Sequence, residues 1–399
     1  MKPWSIQPRL HLDIGWTDLA SVLRPDVDGP EIWQVRIAAM APPGTVAVAG
    51  LSVRTLFDAL LDEAGIGPGH TVVASPINIE GMAQLIQARG AALATVDLDA
   101  GTLASTPGGL AYPDAGRILY THLYGPGPVL ATRPERVPDD CLIVEDRAQA
   151  FDGHLMISPG ADVALYSFGP IKMQTALGGA VALFRDARLA QAVAARLAAW
   201  PARSDVWFLR RVLKYAALKV ASHPLLFGLI HRALRRSGRD VDTALGSMAR
   251  GFAPDRPVQQ AVRFRPPARL LRLLARRLQR AGEASNRPSR DVLDRVAALL
   301  PVPGLERETP PLWLLPVLPD QPEALIAALV EEGYDATRGA TSMRVIGSGA
   351  TPVAKSLMAR VVYLPKPRTR READRLITAL RRATSATGRA SLTETGDPT

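Results

Sequence analysis

Cysteine, aromatic residues and long apolar runs are scarce in this sequence, and each shortage excludes a class of protein. Cys141 is the only cysteine in 399 residues, so neither an internal disulfide nor a paired-cysteine metal site can be built. The first 16 residues include Lys2, Arg9 and Asp13 and hold no continuous apolar core, which argues against a secretory signal. No run of 18 apolar residues lacks a charge, so no membrane-spanning helix is predicted. The sequence therefore predicts a cytoplasmic protein with no metal site.

Aromatic residues make up only 5% of the chain, but the overall composition is that of a folded protein. Hydrophobic residues account for 47% and charged residues for 22%, which is typical of globular proteins and not of disordered ones. A chain of 399 residues can bury about two-thirds to three-quarters of its unfolded surface. That is enough for a two-domain enzyme, or for one large domain with appendages.

Basic residues greatly outnumber acidic ones in the second half of the chain. Residues 1–200 contain 14 basic and 20 acidic side chains, whereas residues 201–399 contain 34 and 18. The basic residues are mostly arginines at helical spacing with few aromatic residues between them, which matches nucleic-acid binding poorly. The charge favours a solvated or membrane-facing surface, so no nucleic-acid partner is predicted.

Strand and helix patterns alternate through the first half of the chain. Short apolar runs bounded by glycine alternate with helical periodicities. Strands are predicted at residues 45–49, 71–75, 91–98, 117–122, 141–144, 163–168 and 178–184, and helices at 52–64 and 81–89. This order predicts an α/β fold with a mainly parallel sheet covered on both faces.

The second half is predicted to be helical and basic to about residue 300, and then mixed. We therefore divide the chain into a large α/β domain over 1–250, with an N-terminal arm and a basic insert from about residue 200, and a smaller α+β domain over 251–385. Residues 386–399 are rich in Ser, Thr and Gly and are predicted to be a disordered tail.

Two polar motifs follow predicted strands. They are Val144-Glu145-Asp146-Arg147-Ala148-Gln149-Ala150 and Ser167-Phe168-Gly169-Pro170-Ile171-Lys172. On its own, Lys172 would be interpreted as a solvated surface lysine, and Asp146 as a capping or turn residue. Ligands of open α/β sheets gather at the carboxyl ends of the strands, so Asp146 and Lys172 are expected to reach the same edge. Pyridoxal phosphate needs such a pair, because its aldehyde forms an imine with a lysine amine while a carboxylate keeps its ring nitrogen protonated.

At these motifs the sequence resembles the DegT/DnrJ/StrS family of sugar aminotransferases, which have the aspartate-aminotransferase fold (fold type I). The resemblance covers most of the chain and rests on an acidic pair followed by Ala-Gln, and then on Ser-Phe, Lys and Gly-Gly. The matching residues are Glu145, Asp146, Ala148, Gln149, Ser167, Phe168, Lys172, Gly178 and Gly179. The segments Ile66-Gly67-Pro68-Gly69, Val96-Asp97-Leu98-Asp99 and His122-Leu123-Tyr124-Gly125 resemble further landmarks of the family.

The resemblance implies a role for each of four residues. Lys172 would bind pyridoxal phosphate as the imine and then shuttle a proton between the two carbons, and Asp146 would hold the ring nitrogen. Gln149 would lie near the ring, and Ser167 would donate to the phosphate. Because the family builds its active sites between two subunits, the resemblance also implies a homodimer.

The sequence departs from the family where the phosphate and the ring face are bound. Leu51-Ser52-Val53 stands in place of the family's Ser-Gly-Thr, and Pro76-Ile77-Asn78-Ile79-Glu80 has no aromatic residue to cover the ring. A helix N-terminus still presents free N–H groups, so phosphate is expected to bind through Ser52 and the backbone at Val53. The alternative is that Ser52 only caps the helix.

The basic insert contains an amphipathic pattern. As a helix, residues 206–221 place apolar side chains on one arc and Arg210, Arg211 and Lys214 opposite, and the apolar residues 225–230 follow. Such a segment can lie in an anionic lipid interface, which would make residues 206–231 a peripheral membrane contact. The other interpretation is a helix packed on the enzyme's own core or on a dimer partner.

The sequence thus predicts a pyridoxal-phosphate-dependent aminotransferase. The expected reaction moves an amino group from an amino acid donor, glutamate by the habit of the family, to a keto group of a nucleotide sugar or a related biosynthetic intermediate. Two alternatives stay open. One is a dehydratase or epimerase that uses the same cofactor and fold, and the other is a cofactor-free scaffold or regulatory module.

Overall fold

A seven-stranded sheet lies at the centre of the large domain. The computed structural model describes residues 4–9, 11–105, 115–135, 137–237, 257–281, 290–307, 313–339 and 341–394. The strands of this domain are β1 (Val46–Gly50), β2 (Thr71–Ala74), β3 (Ile77–Ile79), β4 (Ala92–Thr95), β5 (Ala115–Thr121), β6 (Leu142–Asp146), β7 (Val163–Ser167) and β8 (Ala180–Phe184). All but β3 form the sheet, in the order β1-β8-β7-β6-β5-β2-β4. Neighbouring strands from β7 to β4 run parallel, and β8 runs antiparallel to both β1 and β7. The predicted mainly parallel sheet is confirmed.

Helices cover both faces of the sheet because successive residues of its buried strands point to opposite sides. On β7, Val163 and Leu165 belong to one core cluster, and Ala164 and Tyr166 belong to the other. The helices are α1 (Trp16–Leu23), α2 (Gly29–Ala38), α3 (Val53–Glu63), α4 (Glu80–Gln87), α5 (Ala187–Ala198), α6 (Asp205–Ala221), α7 (Pro224–Arg236), α8 (Val258–Val262) and α9 (Ala268–Gln279). Helices α3, α4, α5 and α8 contribute to the first cluster, and α1, α2, α6 and α9 contribute to the second.

The small domain has its own core and also adds a strand to the large domain. Its elements are α10 (Arg290–Ala297), β9 (Leu315–Val317), α11 (Pro322–Glu331), β10 (Met343–Val345), α12 (Pro352–Arg360), β11 (Val362–Leu364) and α13 (Arg370–Glu394). Helices α10, α11 and α13 pack on the antiparallel pair of β9 and β11. Strand β10 pairs instead with β3, so that Arg344 lies opposite Asn78. The two domains are therefore joined beside the carboxyl edge of the main sheet, and the predicted smaller α+β domain is confirmed.

The domain limits differ from those expected from sequence. The predicted boundary at residue 250 lies outside the described residues, and Val262, Leu270 and Leu274 beyond it belong to the large-domain core. The leucine spacing of α9 predicts a buried face but does not show which domain covers it. At the other end, α13 continues to Glu394, so residues 386–394 are helical where a disordered tail was expected. A helix already anchored by Leu376 and Leu380 gains one backbone hydrogen bond for each added residue, which favours this extension. Residues 395–399 lie outside the described part of the chain.

The N-terminal arm crosses from the large domain to the small one. The backbone N–H of Gln7 donates to Gly333 O at 2.8 Å, and Gln7 O accepts from Asp335 N at 2.9 Å. The guanidinium of Arg9 donates to both carboxylate oxygens of Asp335, at 2.7 and 2.8 Å. These contacts hold residues 11–13 against the mouth of the site described below.

Helix α6 packs on the large domain, as one of the two interpretations of the insert predicted. Phe208, Val212 and Tyr215 are buried in the second core cluster. Arg211, expected on the solvent face, is half-buried instead, and its Nε donates to Leu177 O. The reason is that the buried stripe is narrow, so that Leu213 of the predicted apolar arc is 62% exposed. No helix within the described ranges is long and apolar enough to span a membrane.

Candidate active site

Lys172 lies in the loop between β7 and β8, at the carboxyl edge of the sheet. Its backbone N–H donates to Gly169 O at 3.0 Å, and Thr175 Oγ1 donates to the same carbonyl at 2.6 Å. Its Nζ lies 3.6 Å from the centroid of the Trp313 ring, which comes from the small domain. Burial lowers the pKa of Lys172 to about 7, although the charge of Asp146 opposes this shift. A substantial fraction of the amine is therefore neutral at neutral pH.

Asp146 is the last residue of β6, the strand next to β7, and its side chain is buried. Ala148 N donates to its Oδ1 at 3.1 Å, and Asn78 Nδ2 donates to its Oδ2 at 3.2 Å. Burial raises the pKa of Asp146, whereas these two donors and the charge of Lys172 oppose the rise. Two hydrogen bonds leave lone pairs of the carboxylate available to a further donor.

The structure brings Lys172 and Asp146 to the same edge of the sheet, as the motifs predicted. Each group shifts the pKa of the other through its charge, yet neither takes part in an ion pair within the described part of the chain. Lys172 is half-buried and Asp146 is buried. An amine and a carboxylate at one edge of the sheet that form no ion pair suit a ligand that carries a carbonyl and a basic ring nitrogen. This donor set fits pyridoxal phosphate.

Gln149 is buried beside the turn that follows β5. Its Oε1 accepts from Tyr124 N at 3.0 Å, and its Nε2 lies 3.0 Å from Met343 Sδ. Tyr124 adopts a φ of +61°, in the left-handed region, and its carbonyl accepts from Trp313 N at 3.0 Å. Gln149 thus connects the strand edge to the small domain. Its contact with the cofactor ring stays a prediction.

Ser167 ends β7 and lies beside the lysine loop. A Cβ placed on Gly169 would lie 3.6 Å from Ser167 Oγ and 3.9 Å from Lys172 Cγ, so the hydroxyl and the lysine side chain flank the same turn. In the sheet, Ser167 and Gly50 are both register partners of Ala180. The hydroxyl therefore lies at the same edge as the start of α3, where phosphate is expected.

The start of α3 is capped by its own serine. Ser52 Oγ accepts from Thr55 N at 3.2 Å, which is the capping role named as the alternative. The side chain of Val53 is buried in the core, so this residue can offer only its backbone N–H to a ligand. Gly179 N donates to Leu51 O at 2.9 Å and thereby ties this helix start to the lysine loop. Phosphate binding at Ser52 and Val53 stays a prediction.

Three further residues of the site were not assigned from the sequence. Asn78, which donates to Asp146, lies in the segment 76–80, whose lack of an aromatic residue gives no sign of this contact. Arg54 is the second residue of α3, and burial lowers the pKa of its guanidinium to about 10. Trp313 belongs to the other domain, and no local pattern around it indicates a contact with Lys172. The position of Asn78 after a strand and the position of Arg54 at a helix start could have indicated these two residues.

The acidic pair divides between the two faces of the sheet. Glu145 points away from Asp146 and accepts from Ser158 Oγ at 2.5 Å. His122 Nδ1 accepts from Gly127 N at 2.8 Å, so its other ring nitrogen carries the proton and donates to Glu145 Oε1 at 3.1 Å. Burial opposes the charge on Glu145, but the contacts with His122, Arg147 and Ser158 lower its pKa to about 2. Glu145 is thus part of a buried structural network.

A small, partly open cavity lies beside Lys172. The arm, the lysine loop and the small domain line it, and its charged or titratable side chains besides Lys172 are Arg9, His11, Asp13, Lys366 and Arg368. Asp13 is engaged by Gln174 N at 2.7 Å and lies 3.6 Å from Arg277. Burial lowers the pKa of Lys366 to about 8, so that at neutral pH this amine is mostly charged. The cavity is therefore cationic.

A half-buried lysine and a buried aspartate at the edge of this sheet, together with a small C-terminal domain, define an enzyme of the pyridoxal-phosphate fold type I class. Residues 47–200 match the sequence profile of the DegT/DnrJ/EryC1/StrS aminotransferase family, which agrees with the resemblance seen in the motifs. Enzymes of this family use pyridoxal phosphate, so the predicted enzyme class and cofactor are confirmed with it.

Solved structures of aminotransferases share this fold over nearly the whole chain. The sugar aminotransferase CalS13 from Micromonospora echinospora is 19% identical, with a TM-score of 0.64, over 96% of this chain and 100% of its own. The aminotransferase TlmJ from Streptoalloteichus hindustanus is 18% identical, with a TM-score of 0.62, over 97% and 100%. A DegT DnrJ EryC1 StrS aminotransferase from Brucella abortus is 17% identical, with a TM-score of 0.59, over 92% and 94%. At these identities the likeness establishes the fold. A search of curated proteins finds no significant match.

Proposed function

We propose that this protein transfers an amino group from an amino acid donor, glutamate, to a keto group on a nucleotide sugar or a related biosynthetic intermediate. The observation that carries the proposal is that half-buried Lys172 and buried Asp146 lie at one edge of the sheet, influence each other's pKa and form no ion pair with any described residue. When bound, pyridoxal phosphate supplies an aldehyde for covalent attachment and a protonated ring that accepts electrons.

Lys172 acts first as the attachment point and then as the group that moves the proton. Its lowered pKa, about 7, leaves enough neutral amine to attack a carbonyl and to accept a proton at Nζ. The face of the Trp313 ring favours the charged amine when it forms, and keeps the amine at the cavity.

Asp146 holds a proton on the ring nitrogen. Its burial makes a lone carboxylate costly, so a cationic partner in the site is favoured. The hydrogen bonds from Asn78 and Ala148 orient the carboxylate and stabilise its ionised form before the cationic partner binds.

The phosphate is bound at the start of α3. The backbone N–H groups at Val53 and Arg54 come before the first intrahelical hydrogen bond, and Ser167 lies at the same edge. Arg54, two residues after Ser52, adds a half-buried cation in the first turn of α3, which suits an anion nearby.

The acceptor and donor enter through the cationic cavity. Lys366 and Arg368 are placed to bind phosphate or carboxylate groups of a substrate whose reacting carbon reaches Lys172. The fold is shared with the sugar aminotransferase CalS13, which supports a sugar as the acceptor.

The active enzyme is a homodimer. Apolar side chains of α1, α2 and their connection are exposed in the single chain and supply a surface for a second copy. They are Trp16, Leu23, Val27, Ile32 and Val35. Sedimentation velocity of the purified protein tests this, and a monomeric active enzyme would contradict it.

The test of the function is an absorbance spectrum of the purified protein with pyridoxal phosphate, followed by borohydride reduction and peptide mapping. We expect a yellow protein whose reduced adduct maps to Lys172, and loss of the yellow band when glutamate is added. A colourless protein, or an adduct elsewhere, would overturn the proposal. A band that does not change with glutamate would favour a dehydratase or epimerase.

A further inference from the structure

Helix α7 turns its most apolar side outward. Leu225, Leu226, Leu229 and Ile230 are 54%, 41%, 53% and 37% exposed. The buried residues of the same helix are Phe227, Gly228 and His231. A surface helix of a globular protein normally buries its aliphatic stripe, so this orientation is the reverse of the usual one.

The orientation of α7 is set by close packing on the N-terminal arm. A Cβ on Gly228 would lie 2.6 Å from Trp4 O, so only glycine allows this approach. Ile6 N donates to Pro224 O at 3.1 Å, and Arg232 Nη2 donates to Trp4 O at 3.1 Å. Because the arm occupies the inner side of the helix, the four aliphatic residues must face away from the protein.

An aromatic side chain and two arginines, Arg232 and Arg236, border this aliphatic surface. Trp4 is 72% exposed, and the guanidinium of Arg232 lies 4.6 Å from the centroid of its ring. Arg235 and Arg236 occupy the last turn of α7, and the helix contains no acidic residue. Apolar residues with tryptophan and arginine at their edge are typical of helices that lie in a lipid interface.

We propose that α7 and Trp4 form a peripheral contact with an anionic lipid bilayer, with the four aliphatic residues among the acyl chains and the arginines at the headgroups. A second copy of this chain is the less suitable occupant, because a symmetric contact would place two all-basic helices together. With 13 residues, α7 is too short to cross the bilayer. The inference does not depend on the proposed reaction.

The test is cosedimentation of the full-length protein with vesicles of phosphatidylcholine alone and of phosphatidylcholine mixed with phosphatidylglycerol. We expect binding to the anionic vesicles, and weaker binding at high salt. Leu226→Glu with Leu229→Glu should lower the partition coefficient by about tenfold or more, since two charges would enter the apolar layer. Val129→Glu is the matched control, because Val129 is 50% exposed on a loop elsewhere, and it should bind like the wild type.

Arg235→Glu with Arg236→Glu keeps the aliphatic surface and should also lower binding by about tenfold, since each basic residue contributes roughly 1 kcal/mol near an anionic surface. This variant tests the lipid contact even if the leucine variant does not fold. Wild-type protein that stays in the supernatant, or equal binding to both vesicle types, would overturn the proposal. A third outcome would also overturn it: the wild type does not bind vesicles, and the leucine variant sediments as a smaller oligomer than the wild type. The surface would then be an interface between copies of this chain.

Discussion

The ε-amino nitrogen of Lys172 lies 3.6 Å from the centroid of the Trp313 ring. The lysine belongs to the large domain and the tryptophan to the small one. The indole N–H of Trp313 donates to Ile171 O at 2.7 Å, next to the lysine in sequence. The position of the amine therefore depends on how the small domain packs on the large one.

Attachment of added pyridoxal phosphate to Lys172 should depend on pH around neutrality. Burial lowers the pKa of this amine to about 7, and only the neutral amine attacks a carbonyl. In protein stripped of cofactor, the rate should rise about tenfold per pH unit below pH 7 and level off above it. Stopped-flow absorbance from pH 5 to 10 measures it. Lys172→Ala is the control and should show no attachment, and a rate that still rises at pH 10 would contradict the prediction.

Asn78→Ala should slow the reaction with the amino donor. The substitution removes the donor at 3.2 Å from Asp146 Oδ2, so the pKa of Asp146, already raised by burial, rises further. A hydrogen bond to a charged group contributes about 1.5–3 kcal/mol, so a loss of about tenfold or more in kcat is expected. Single-turnover kinetics with glutamate measure it. Gln84→Ala on the exposed face of α4 is the control, and an Asn78→Ala variant with wild-type kcat would exclude this role.

Arg54→Gln should weaken the binding of pyridoxal phosphate but not of pyridoxal. Its guanidinium is mostly buried at the start of α3, and a charge-assisted hydrogen bond to phosphate would be lost, at roughly tenfold or more in Kd. Fluorescence titration with both compounds measures the difference. Arg188→Gln is the matched control, because Arg188 is also the second residue of a helix but is exposed. An equal loss for both compounds would show that Arg54 acts on structure alone.

His122 should make the protein less stable in mild acid. Burial lowers its pKa from 6.5 to about 4, so between these values the unfolded chain binds a proton that the folded chain does not. The free energy of unfolding should therefore fall as pH drops from 6.5 to 4, by on the order of 3 kcal/mol at about 1.4 kcal/mol per unit. Urea unfolding across this range measures it.

In His122→Gln this part of the pH dependence should disappear. His70→Gln is the control, because His70 is exposed and hydrogen-bonded only locally to Gly67. If both variants keep the same slope as the wild type, His122 is not the group responsible.

Much of the large domain could be predicted because its signals are local. Short apolar runs identify β7 and β8, and the positions of Asp146 and Lys172 after predicted strands identify them as site residues. The end of the large domain could not be predicted in the same way. Leu270 and Leu274 indicate only that α9 has a buried face, and the domain that covers it depends on the path of the whole chain.

The parts of the site that come from distant segments were the ones missed. Asn78 gains its role because β10 pairs with β3 and holds it beside Asp146, and Trp313 because the small domain packs over the lysine loop. Likewise, the side of α7 that faces solvent is set by the arm, which occupies the inner side of the helix.

Sequence alone determined the sheet, the lysine and aspartate at its edge, the family and the cofactor, because strand periodicity and motif order depend on neighbouring residues. Tertiary structure decided which groups surround that pair, how far its pKa values move and which helix face meets solvent. These properties depend on burial and distance between segments far apart in the chain, and no local pattern encodes them.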